Sequence, residues 1–266
     1  MDGDPGPIAH MDWATLYDRA DAADVDVEDV RTVLARHRER AERSEGMGDT
    51  EPGAEPEQGA ESDPGQGAES DPGQGAESDP GQGAESDPGQ GAESDPEGGG
   101  TRDEEGGTEP PPDPSPARVV ADADVLAADV LVGGPSREAL EGVWRHSWIH
   151  LLASDQLLAD AAATIAELST PELAAAWREL VAEWREPVTH PVGDHSGLGS
   201  AYRGGAMHLL SFDRVLSSPR AGAELRGRVP LSVREPRAFA TVFDAESLYL
   251  EVVGGEYPGP DRPPRA

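Results

Sequence analysis

Cysteine is absent from the 266-residue chain, and so is lysine: all 21 basic residues are arginine. The first absence excludes disulfides and thiolate-bound zinc, so any metal must be held by carboxylates, imidazoles or carbonyls, a donor set that favours hard cations. Long apolar runs are also missing. No stretch approaches the roughly 18 apolar residues of a membrane span. Met1 to His10 carries acid and proline where a signal peptide needs a basic start and an apolar run. The chain is expected to be soluble and cytoplasmic, with no membrane partner. Nor is there a Gly-x-Ser-x-Gly elbow, a Gly-x-Gly-x-x-Gly turn or a Walker loop, which excludes the familiar serine-nucleophile and nucleotide-binding signatures.

What the chain has in excess is acid. Asp and Glu number 53, for a net charge of −32. Such an excess favours solubility but strains the compact state through self-repulsion, a balance tolerable where strong salt shortens the Debye length to about 3 Å. A halophilic, salt-adapted cytoplasm is the natural setting. The acid is unevenly spread: residues 117–266 carry −7, leaving −25 for the first part. With 32 Gly and 25 Pro, the composition suits one domain and an extension better than two cores.

The chain divides into three segments. Residues 1–43 read as a short helical segment, with Trp13, Leu16, Tyr17, Val30, Val33 and Leu34 at helical spacing. Acid at Asp26 to Asp29 opens the second helix, and Arg36, Arg38, Arg40 and Arg43 crowd its end, where they suit the helix dipole and are expected to be solvated, with a nucleic-acid-contacting arm as the sharper alternative. In residues 44–117 the octapeptide Gln-Gly-Ala-Glu-Ser-Asp-Pro-Gly repeats five times from Gln58, the last copy ending in Glu97. Such a unit has almost no apolar surface to offset the entropy of ordering, so a disordered acidic linker is expected.

Residues 118–266 change character. Arg118 to Ala121, Trp148 to Ala153, Met207 to Ser211 and Pro230 to Val233 read as buried strands. Helices are expected from Ser136, taken as N-cap, to His146; from Ser154-Asp155 through Leu168; from Thr170-Pro171 through Trp184; and over Ser196 to Gly205. Trp144, Trp148, Trp177 and Trp184 fall on apolar faces and read as core. Strands alternating with helices predict an α/β domain in three layers around a central parallel sheet.

In such a sheet ligands bind beyond the carboxyl ends of the strands. Asp122 ends the first strand, and Asp213 follows the strand Met207 to Ser211 with only Phe212 between. Asp160 lies early in the helix after the second strand, and Asp194 in the turn before Ser196. Each has a bland alternative: Asp122 and Asp213 as turn or cap acids, Asp160 as a solvated helix residue, Asp194 as an N-cap and His195 as a solvated loop residue. Arg203 and Arg214 read as surface guanidiniums. If the four acids converge, they repel one another and need a cation, with Mg²⁺ or Mn²⁺ the natural choice.

The run Val119-Val120-Ala121-Asp122-Ala123-Asp124-Val125-Leu126 resembles the opening of PIN-domain nucleases. Ser154 to Asp160 is similar to that family's second-helix segment with its acid. Gly193-Asp194-His195 is similar to its third acid, and Leu209 to Asp213 to its final strand and Asp. The likeness spans roughly Arg118 to Phe243. It implies a PIN-like fold and an Mg²⁺- or Mn²⁺-dependent endoribonuclease, with Asp122, Asp160, Asp194 and Asp213 as catalytic metal ligands. Asp124 and Ser211 would orient them, and RNA, single-stranded or structured, would be the partner. A homodimer and a protein inhibitor remain open as protein partners. A catalytically silent PIN-like interaction module is the alternative. Asp122-Ala123-Asp124 also resembles the first motif of haloacid-dehalogenase phosphatases, but those generally use a lysine, and Leu126 stands where they have Thr or Val.

Overall fold

The computed structural model describes residues 11–45, 110–191, 193–218, 220–222 and 230–265. The octapeptide array, and with it most of the linker expected over residues 44–117, lies outside the described residues; residues 115–117, given to that linker from the sequence, belong to the first strand, where Ala117 is buried. Two helices come first, α1 (Trp13–Ala20) and α2 (Val27–Glu45). Asp12 caps α1 by accepting from the Thr15 amide. Trp13, Leu16, Tyr17, Val30, Val33 and Leu34 are buried, so the periodicity read from the sequence is the packing face.

Next come β1 (Ser115–Ala121), α3 (Ala123–Leu131), α4 (Gly134–Trp144), β2 (His150–Ala153), α5 (Asp155–Leu168), α6 (Pro171–Trp184) and β3 (Glu186–Pro187). The chain continues with α7 (Ser196–Gly204), β4 (Ala206–Leu210), β5 (Ser232–Arg234), α8 (Pro236–Val242) and α9 (Ala245–Val252). Among the described residues all strand pairs are parallel, in the order β3-β2-β1-β4-β5. Val119 pairs with Leu151 on one side and His208 on the other, which makes β1 the central strand. From β1 the chain first winds toward β2 and later returns to the opposite side at β4. The crevice beyond β1 and β4 is therefore the topological switch point of the sheet.

The fold is α/β with helices flanking the sheet, as expected. Ser154 and Thr170 cap α5 and α6, accepting from the Leu157 and Leu173 amides. Ser136 is not an N-cap: α4 starts at Gly134, Gly133 takes the cap position at φ 73°, and Ser136 is buried inside the first turn. The sequence reading also passed over α3, which follows Asp122 directly and is buried at all nine positions, and over the two-residue strand β3. Among the described residues no helix is long and apolar enough to cross a membrane.

One buried charge network ties the ends of the chain to its middle. The Arg265 guanidinium is fully buried and donates to both oxygens of Asp129 at 2.8 and 3.0 Å, while its Nε donates to Glu141 at 3.1 Å. Tyr17 donates from its hydroxyl to Asp129 at 3.3 Å, and the guanidinium lies over the rings of Trp13, Tyr17 and Trp184. Burial pushes the Tyr17 hydroxyl well above its usual range, and the Asp129 charge adds to the effect. Helix α1 is thus clamped to the body of the domain, and α2 is laid against α3 and α5.

Candidate functional site

Asp122 is the last residue before α3 and its N-cap, so one side chain serves strand end, helix start and crevice. Its amide donates to the Leu210 carbonyl at 2.8 Å, which extends the β1–β4 ladder and fixes the carboxylate beside Ser211. It is fully buried. Oδ1 accepts from Arg38 Nη2 at 2.8 Å and from the Ala123 amide at 2.9 Å, and Oδ2 accepts from the Ser211 hydroxyl at 3.1 Å.

Asp124 is the second residue of α3, in its first turn, and is 3% exposed. Its Oδ2 accepts from the Phe212 amide at 3.0 Å and lies 3.4 Å from the Ser211 hydroxyl, whose single proton serves the nearer Asp122. Its Oδ1 is buried with no hydrogen-bond partner. Burial pushes the Asp124 carboxyl up to about 8, and the neighbouring Asp122 charge pushes the same way, against the Phe212 amide and the Arg38 charge. A carboxylate held so far from water with an empty oxygen is costly to a fold and needs a reason.

The other acids surround this floor. Asp160 Oδ2 accepts from the Ser196 hydroxyl at 3.0 Å and Oδ1 from Gln156 at 2.8 Å. Asp213 is half-buried, its Oδ1 turned to the Val215 amide at 2.7 Å. Asp194 is exposed and does not cap α7. His195 takes that position instead, its Nδ1 3.5 Å from the Leu198 amide and its Nε2 3.9 Å from Asp122 Oδ2. His195 is therefore part of the crevice and not a solvated loop residue. Gly197 explains how α7 comes so close: a Cβ there would stand 3.0 Å from Asp122 Oδ1.

The residue that sequence reasoning missed is Arg38. Expected to be solvated at a helix end, it is inserted among the acids from α2. Burial disfavours its charge, but the carboxylates of Asp122, Asp124 and Asp160 outweigh that and raise its pKa. Its partner lies 84 residues away, beyond the reach of any local pattern. Arg38 also lines two clefts. The larger, about 350 Å³, is bounded by Arg31, Glu39, Glu42, Asp124, His195 and Asp213; the smaller, about 180 Å³, by Glu42, Gln156, Asp160, His190, Asp194 and Ser196. Arg38 thus borders two clefts, with Asp213 lining one and Asp160 and Asp194 the other.

The donors suit a hard divalent cation in kind, and the empty Asp124 oxygen offers one position on it. In this arrangement, however, no group of three or more His, Asp or Glu among the described residues is close enough to hold one. Arg38 is a further obstacle. A divalent ion about 4 Å from a guanidinium would be repelled by about 8 kcal/mol at an effective dielectric of about 20, so the two exclude one another.

None of the curated proteins and none of the solved structures matches the chain. Residues 113–265 match a family described as of unknown function, DUF7384.

Proposed function

The chain therefore belongs to the DUF7384 family of unknown function, and from that premise we propose, on the residues themselves, a metal-dependent phosphodiester hydrolase acting on RNA. The observation that carries this reading is the pair Asp122 and Asp124, buried at the switch point with one carboxylate oxygen unpartnered. The resemblance of the four acidic motifs to PIN nucleases supports it independently.

Asp122 and Asp124 on the floor of the crevice, with Asp160, Asp194 and Asp213 around it, are the acids that would hold Mg²⁺ or Mn²⁺, and they would have to draw together to do so, since no three of them are within reach of one ion as they stand. Such an ion would supply a water of lowered pKa and charge stabilisation at the leaving oxygen. Ser211 keeps the Asp122 carboxylate oriented, and its oxygen accepts the Asp213 amide at 3.0 Å, so the loop after β4 is tied to the same point. Asp213 and Asp194, on opposite sides of Arg38, would steer cations into the crevice. His195 Nε2, facing Asp122, is placed to donate to a phosphate oxygen or to a departing hydroxyl.

The test is cleavage of labelled single-stranded RNA at millimolar Mn²⁺ by the full chain. Mn²⁺-dependent cleavage that disappears in Asp122→Asn is the expected result; cleavage indifferent to that substitution would sink the reading. The Arg38–Asp122 ion pair favours a second reading, a catalytically silent interaction module in which the arginine is a permanent counter-charge. That module would fold normally and bind no Mn²⁺.

A further inference from the structure

We infer that the groove between α2 and the switch point binds an aliphatic diamine, one of whose ammonium groups donates to the free oxygen of Asp124. This ligand site is independent of the hydrolase reading, because it needs neither a metal ion nor movement of the acids.

The groove is the larger of the two clefts, about 350 Å³. One of its walls is a single face of α2, because Arg31, Leu34, Ala35, Arg38, Glu39 and Glu42 recur at spacings of three and four residues. At a rise of about 1.5 Å per residue, that wall runs for about 16 Å. Asp124, Asp213 and His195 complete the lining. The decisive atom is Asp124 Oδ1. Its sister Oδ2 is turned to the Phe212 amide in the loop after β4, so Oδ1 is the oxygen left for the groove, buried and without a hydrogen-bond partner. An ionised carboxylate accepts and cannot donate, so what completes it is an N–H brought by a ligand.

The charges of the groove do not cancel. Both of its arginines are matched from outside the lining, Arg31 by Glu28 at 2.7 Å and Arg38 by Asp122 at 2.8 Å. Against them stand four acids within it, Glu39, Glu42, Asp124 and Asp213. Of these four only Glu39 has an ion-pair partner among the described residues, Arg43 at 3.9 Å, and that pair is open to solvent. Such a lining accepts positive charge spread over several ångströms. A single ion does not fit, since no three of the acids and histidines among the described residues stand close enough to share one. Two ammonium groups on a flexible chain suit the spacing, each with three donors, one at Asp124 and the other at the α2 carboxylates. Leu34 and Ala35 give the methylenes of that chain apolar surface on the same wall.

The experiment is calorimetric titration of the full chain with putrescine, free of divalent metal, at about pH 8.5, where the Asp124 carboxyl is ionised and alkylammonium groups, near 10.4, keep their charge. Salt at about 1 M shortens the Debye length to about 3 Å and screens attraction to the acidic chain at large. One saturable site per chain is expected. Asp124→Asn, which still accepts from the Phe212 amide, should weaken binding at least about tenfold, the worth of one charge-assisted hydrogen bond. Glu42→Gln should weaken it about threefold, as for an exposed ion pair, and Glu172→Gln, exposed on α6 outside the groove, should leave it unchanged. Butylamine, the same chain with one ammonium, should bind at least about tenfold more weakly than putrescine. Equal affinity in wild type and Asp124→Asn overturns the site, as does butylamine binding as tight as that of putrescine. Uptake that never saturates and is shared by all the variants overturns it too, as attraction to the chain's general charge. Tighter binding of argininamide than of putrescine replaces the diamine with a guanidinium. If Asp124→Asn fails to fold, shown by loss of its melting transition, Glu42→Gln decides: no change there overturns the site. No readout involves RNA or Mn²⁺, so the hydrolase reading stands or falls separately.

Discussion

Among the described residues, two arginine–aspartate pairs with a buried carboxylate join distant parts of this chain, and their differences separate architecture from chemistry. Arg265 meets Asp129 through two parallel hydrogen bonds, is flanked by Glu141 and three aromatic rings, and is wholly buried. Arg38 meets Asp122 through one bond, lies between two clefts, and has beside it an Asp124 oxygen without a partner. The first pair is geometrically complete and closed to solvent, which is how a buried charge becomes tolerable. The second is incomplete in a way a purely structural pair has no reason to be.

Breaking each pair should show the contrast. Arg265→Ala leaves Asp129 buried and unpaired, a loss of about 3–5 kcal/mol. At about 2–4 °C per kcal/mol for a domain of this size, melting should fall by roughly 6–20 °C, and Mn²⁺ should not restore it. A fall of under about 3 °C in a melting scan would remove the network's claim to clamp the fold.

Asp124→Asn should act in the opposite direction and with a pH signature. Because the folded carboxyl is raised to about 8 from an ordinary value of 3.8, its favourable contribution is complete below about pH 4 and is lost as pH climbs through 8. The neutral amide escapes that loss. The variant's melting temperature minus that of wild type should grow by several degrees between pH 4 and 8 and then level off. A flat difference would mean the site is wetter than its burial indicates.

A smaller change is expected for Arg38→Gln, about 2 kcal/mol for one charge-assisted hydrogen bond at a partly open position. Unlike the Arg265 variant, it should regain stability when Mn²⁺ is added, a comparison read directly from melting scans with and without the ion. Smallest is Gly197→Ala, a net loss of about 1 kcal/mol, because crowding of Asp122 outweighs the helix-propensity gain of losing a glycine. A gain in melting temperature there would show that α7 can retreat.

Much of the fold could be read along the chain. Apolar strands stopped by acids at Asp122 and after Ser211, and capped helices at Ser154 and Thr170, are local signals that survive into the structure. Helix α3 escaped because all nine of its residues are buried, so it has no polar face to impose a period. The candidate site was legible as acids at strand ends. Its cation was not, because Arg38 in isolation is one more arginine in a basic helix end, and only folding shows that it is the one aimed inward. The same holds for Asp129 and Arg265, 136 residues apart.

The outer strands have a separate consequence for how copies of this protein can meet. β3 is two residues long and β5 three, so neither border of the sheet offers a ladder of vacant amides and carbonyls long enough to template another chain. Among the described residues, self-association by strand addition is thereby discouraged from both sides.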